Sequence, residues 1–215
     1  AFFLNNSISC YRIFNSNVIV IRLIYGFFVI ILCRETVTNN PILMSGFPFN
    51  ERKALAAVLF ILKEMGGKVD KHKLAKILYY ADEKHLCRYA RPVIGDRYIA
   101  MPYGPVPSSV YDGVKKSADF PLFQDTLESD GNAVISGQEP NMKLLSKTDI
   151  GCLRESIQEN KDLSFWDLVN KSHKEAYNNA CGGTISVLDM AKEAGASEEM
   201  IEYINELMSD YQPIC

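Results

Sequence analysis

The sequence predicts a mainly α fold with a small antiparallel β component, an α+β domain of compact helices carrying one small sheet or hairpin. Three observations carry this. Capping residues repeatedly precede apolar runs of helical period. A single stretch, Ile94 to Asp112, is dense in Gly and Pro. An Asp-Gly turn lies between two short apolar segments. At 215 residues, with 47% hydrophobic and 23% charged residues, the chain has the composition of an ordinary globular protein.

The elements follow in order. Asn50 is placed to cap a helix whose Leu55, Val58, Leu59, Leu62 and Met65 fall on one face, ended by Gly66-Gly67. Asp70 opens a second helix, with Leu74, Ile77, Leu78 and Ala81 as its apolar face. That helix runs to about Tyr89, because Pro92 disfavours helix at the residue before it. Arg97 to Met101 reads as a short strand stopped by Pro102, and Gly104-Pro105 as a rigid corner. Ser108 or Ser109 then caps a helix over about Val110 to Lys116, Ser109 and Asp112 having capping-box spacing. Phe123 to Leu127 and Ala133 to Ile135, joined through Asp130-Gly131, give a hairpin that pairs with the 97–101 strand in one sheet. Ser146 with Asp149, and Ser164 with Asp167, start two more helices. Their apolar residues are Ile150, Leu153 and Ile157 in one, and Trp166, Leu168, Val169 and Tyr177 in the other. Gly182-Gly183 separates these from a final pair, Ile185 to Glu193 and Ser197 to Tyr211.

Residues 1–43 differ in kind from the rest. They hold no lysine, three arginines (Arg12, Arg22, Arg34) and one acid (Glu35), so they carry +2, and the chain from Met44 onward carries −5 of the net −3. Their apolar run, 18–32, is short of the roughly 20 residues of a bilayer span and contains Arg22. A weak anchor, a protein-specific extension and non-native sequence ahead of a start at Met44 are the three readings, and the break in composition favours the third, a non-native or disordered extension. The expected division is therefore 1–43 and a domain over 44–215.

Charge and residue spacing exclude several functions. The acidic balance argues against a nucleic-acid surface built on net charge. Six cysteines without a C-x-x-C pair read as reduced thiols of a cytoplasmic protein, and no metal or cofactor site is expected. Of the three histidines, His85 follows Asp82 by three residues on one helix face. An acid–base pair for hydrolysis is thus conceivable, but a structural network is the stronger reading, since no nucleophile or phosphate loop accompanies it. Val187 to Ile204 has helix-turn-helix spacing, yet its would-be recognition helix carries Glu198, Glu199, Glu202, Glu206 and Asp210 and no base. That helix would repel phosphate, so an αα-hairpin is expected.

Lys73 to Asp112, KLAKILYYADEKHLCRYARPVIGDRYIAMPYGPVPSSVYD, resembles the signature of the Panacea domain, the SocA-like antitoxin and phage-associated protein family. The matching features are a K-L-x-K-L-L-Y-like helix, A-D-x-x-H-L, R-P-x-x-G-D, the G-P-V segment and a following Tyr-Asp. Leu145-Ser146 and Ser172 to Glu175 look like the family's C-terminal half. Ala90 stands where the family usually has glycine, which weakens the expectation of a left-handed helix cap there. The resemblance implies a non-enzymatic antitoxin that binds a cognate protein toxin, usually encoded next to it, either blocking it or acting as an adaptor that delivers it to a cytosolic protease. A DNA-binding or phage-associated regulator is the alternative, and a hydrolase using Asp82 and His85 the second. The partner surface is expected on Asp82, His85, Arg91, Asp96, Tyr98, Tyr103, Gly104 and Pro105. Arg91 is expected to pair with Asp96, and no membrane or nucleic acid is expected as partner.

Overall fold

In the computed structural model the described residues are 46–211, together with two strands nearer the N-terminus. Those strands, β1 (Val20–Ile24) and β2 (Phe27–Ile31), pair antiparallel with Val20 opposite Ile31. The chain divides into two units, 1–43 and 44–215. The expectation that 1–43 is non-native or disordered otherwise lies outside the described residues. Among the described residues no helix is long and apolar enough to cross a membrane.

Within the larger unit, α1 (Glu51–Glu64), β3 (Lys68–Asp70) and α2 (Lys71–Tyr89) come first. Asn50 and Asp70 cap the two helices as their positions predict: Asn50 Oδ1 accepts from Lys53 N, and Asp70 Oδ1 from His72 N and Lys73 N. The helix α2 is covered on both faces. Leu74, Ile77, Leu78 and Ala81 join a first core with α1, while Tyr79, Tyr80 and Leu86 join a second. A helix buried all round traps its polar residues too, so Lys76, Asp82, Glu83 and His85 are all interior.

The chain then makes a hairpin of β4 (Tyr98–Met101) and β5 (Gly104–Pro107), in which Tyr98 faces Pro107 and Met101 faces Gly104. The reversal therefore falls at Pro102-Tyr103, and Gly104-Pro105 opens the returning strand instead of forming a corner. Two prolines are tolerated in β5 because it is an edge. The other edge of β4 is met by residues 183–185, Ala100 N donating to Gly183 O and Ile185 N to Tyr98 O.

Further along are α3 (Ser108–Val114), α4 (Pro121–Thr126), β6 (Glu128–Asp130), β7 (Ala133–Ile135) and a 3-10 turn (Met142–Leu144). Phe123 to Leu127 is thus mostly helix, not strand. Pro121 at the first helical position favours helix, and Phe123, fully buried, wedges against Gly113. The expected single sheet is two: β3, β7 and β6 form a three-stranded antiparallel sheet, separate from the β4–β5 hairpin. Its third member, β3, is short and follows two glycines, so no sequence pattern marks it. Gly131 turns β6 into β7 as expected.

The helices α5 (Lys147–Asn160) and α6 (Phe165–Ser172) each begin with the predicted capping box. After α7 (Glu175–Asn179), the terminal pair α8 (Val187–Glu193) and α9 (Glu198–Asp210) packs as an αα-hairpin on the second core. Cys87, Cys152 and Cys181 are free thiols, and the other three cysteines lie outside the described residues.

Candidate functional site

Residues 90–110 wrap over α2 and are held from below by two buried carboxylates. Asp82 accepts from Val93 N (2.8 Å), Ile94 N (3.2 Å) and Tyr98 Oη (3.0 Å). Burial pushes its carboxyl up to about 7, against the pull of these donors. Asp96 accepts from Arg97 N, Ser109 N and Val110 N, so it satisfies the free amides at the start of α3. The serine cap expected at Ser108 or Ser109 is absent: Pro107 precedes the helix without a side-chain bond, and Asp96 takes that role from another segment.

The expected Asp82–His85 pair does not form. The two side chains bond different partners, and His85 Nδ1 lies 2.6 Å from Arg91 O. A carbonyl only accepts, so Nδ1 carries a proton, while Nε2 lies 3.0 Å from Thr148 Oγ1 and 3.2 Å from Asp149 Oδ1. Burial lowers the His85 pKa, against the pull of Arg91 O and the Asp149 carboxylate, and the ring is fully enclosed with no side open to a substrate. Arg91 pairs with Asp149 at 3.4 Å, not with Asp96, whose carboxylate is already filled by amides. Asp149 also completes the α5 capping box and receives Lys53 at 3.2 Å, so this carboxylate ties α1, α5 and the Arg91 loop together.

Of the eight residues expected on a partner surface, Asp82, His85, Asp96, Tyr98, Gly104 and Pro105 are buried. Arg91 is half-buried, and Tyr103, at the hairpin tip, is 54% exposed. Beside Tyr103 stand Phe165 (41% exposed) and Trp166 (63%), both in the first turn of α6. Their rings meet edge to face: Tyr103–Phe165 at 5.3 Å, Phe165–Trp166 at 5.2 Å and Tyr103–Trp166 at 6.4 Å between centroids. The His72 ring backs Phe165 at 4.3 Å, and its Nε2 lies 3.0 Å from Tyr103 O, which it holds as a donor. The result is an exposed aromatic platform assembled from α2, the hairpin and α6.

Sequence reading assigned Trp166 to a core face and overlooked Phe165. No signal marked them: Phe165 stands three and four residues before the buried Leu168 and Val169, and Trp166 three before Val169, so helical spacing places both on the apolar face. His173, placed on the same helix as Trp166, instead lies just past the end of α6. Among the described residues, no three His, Cys, Asp or Glu side chains gather as metal ligands.

Residues 74–178 match the family described as antitoxin SocA-like, Panacea domain. This segment is a Panacea domain. It runs from the first turn of α2 through most of α7, and so contains Asp82, Asp96, the hairpin and both aromatic residues of α6. No curated protein and no solved structure matches the chain. The left-handed conformation at the end of α2 persists in this Panacea domain although the residue is alanine, Ala90 having φ 56°.

Proposed function

We propose that this protein is an antitoxin that binds a cognate protein toxin, the product of an adjacent gene, through the platform of Tyr103, Phe165 and Trp166. The observation that carries the reading is the exposure of three large rings on backbone already fixed by a two-residue turn and a capping box. Aromatic side chains lose little conformational entropy on such a frame and commonly dominate binding energy, at about 2 kcal/mol or more each. Arg91 is a second contact, reached from the Asp149 junction. The six buried residues of the signature support the surface from within. The family match supports an antitoxin role and a protein partner.

The test is co-expression with the neighbouring gene product. Rescue of growth should be lost in Tyr103→Ala and Trp166→Ala variants that melt like the parent. Rescue that survives both changes sinks this surface as the binding site. Rescue that disappears in cells lacking the cytosolic protease assigns delivery, and rescue that persists there assigns blocking. The regulator alternative is opposed by α9, whose exposed side carries Glu198, Glu199, Glu202, Glu206 and Asp210. Tight, salt-sensitive DNA binding by the purified protein would revive it.

A further inference from the structure

Beneath the platform lies a lysine with no ion-pair partner among the described residues. Lys76 is fully buried on α2, and its Nζ donates to Pro105 O at 2.9 Å. One turn earlier on the same helix, His72 holds Tyr103 O. These two side chains, four residues apart, therefore grip carbonyls on either side of Gly104. That glycine sits at φ 98°, and a Cβ there would fall 2.7 Å from Lys76 Nζ and 2.3 Å from Ser172 Oγ. The hairpin is thus pressed onto the amine with no side chain between them, while Ser172 at the end of α6 closes the other side.

We propose that Lys76 is a positioning residue for the platform: its amine clamps the hairpin tip to α2 and α6, and its protonation sets how firmly Tyr103 is held against Phe165 and Trp166. The proposal rests on the platform being the binding surface, and deepens that reading by giving it a control. A charged amine makes a stronger bond to Pro105 O than a neutral one and draws in Ser172 Oγ as a further acceptor. The groups facing this amine are few. From α2 there is His72, itself near Asp70 and His173; the hairpin presents carbonyls, and α6 presents the Ser172 hydroxyl. Among the described residues no carboxylate holds the charge on Lys76, and burial lowers its pKa to about 7, so the clamp titrates near neutrality.

The chain has a single tryptophan, and it is Trp166 in the platform, so its fluorescence reads the clamp without any partner. The full chain is titrated from pH 5 to 9 while Trp166 emission is followed, and the Lys76 side chain is followed in parallel by carbon-13 lysine resonances. The expected result is one lysine titrating near 7, a Trp166 transition with the same midpoint, and loss of that transition in Lys76→Met but not in His72→Gln. A flat Trp166 profile, midpoints that differ, or a transition retained in Lys76→Met would overturn the proposal. Should Lys76→Met fail to fold, agreement or disagreement of the two wild-type midpoints decides it. Neither measurement uses a toxin, so a missing partner leaves the clamp result standing, and a flat titration leaves the antitoxin reading standing.

Discussion

Asp82 concentrates more of the signature's stability than any exposed residue does, because its carboxylate is the acceptor for three buried donors. Asp82→Ala would strand Val93 N, Ile94 N and Tyr98 Oη together, and each stranded buried group costs about 1–3 kcal/mol. A loss of about 3–5 kcal/mol is expected in urea denaturation, with Asp82→Asn costing clearly less because one amide oxygen still accepts. Equal losses would mean that the charge, not the bonds, is what the loop requires. Such residues also mark the limit of reading at this scale. Asn50, Asp70, Ser146 and Ser164 were legible as caps because their partners lie two or three residues away. Asp82 and Asp96 bond amides 11 to 14 residues on, across a reversal that no spacing rule describes. For the same reason Tyr98, legible only as an amphipathic ring, was assigned to the surface while its hydroxyl was in fact the third donor to Asp82.

At the scale of elements, the helices were legible except α4, and the strand pairings were not except for the turn at Gly131, since a helix is closed by local bonds and a sheet mostly by distant ones. Both β3 and β5 lack an alternating pattern: one is three residues long and the other is Gly-Pro-Val-Pro. Helix ends offer a sharper test. Lys116, just beyond α3, has φ 63° and an exposed side chain, so its conformation strains the backbone without any packing in return. Lys116→Gly should raise stability by roughly 1 kcal/mol, read as a higher melting temperature. Ala90 has a similar φ of 56° but is 1% exposed and packs in the second core. There the relief of strain is offset by a lost buried methyl, and Ala90→Gly should gain visibly less than Lys116→Gly. A larger gain at Ala90 would show that its methyl group packs poorly.

Across the larger unit, two cores share one helix, and the seam between α2 and α8 holds the least satisfied polar groups among the described residues. Tyr79 Oη, Tyr80 Oη, Glu83 Oε1 and Glu193 Oε1 are buried there without a well-formed hydrogen bond among the described residues, although Tyr79 and Glu193 both lie within reach of the Glu83 carboxyl. The second Glu193 oxygen caps α7 by accepting from Ala176 N, while Lys171 lies over the Tyr80 ring and Lys174 offers Glu83 a weak counter-charge. Burial first, and Glu193 second, push the Glu83 carboxyl up to about 8. The folded protein then binds a proton that the unfolded chain has released above its ordinary value near 4.5, so this group makes stability fall as pH rises from about 4.5 to 8. Glu83→Gln removes the ionisation while keeping shape and polarity. The variant should match the parent at pH 4 and exceed it at pH 9, by an amount on the order of 2–5 kcal/mol for a shift of this size. Lys76 titrates in the opposite sense, adding stability between about 7 and its unfolded value of 10.5, but it does so in both proteins and cancels from their difference. Urea midpoints at the two pH values give that difference directly. If the two proteins keep the same gap at pH 4 and pH 9, the Glu83 carboxyl keeps its ordinary value near 4.5 in the fold, and a cation side chain such as Lys174 must be offsetting its burial in the seam.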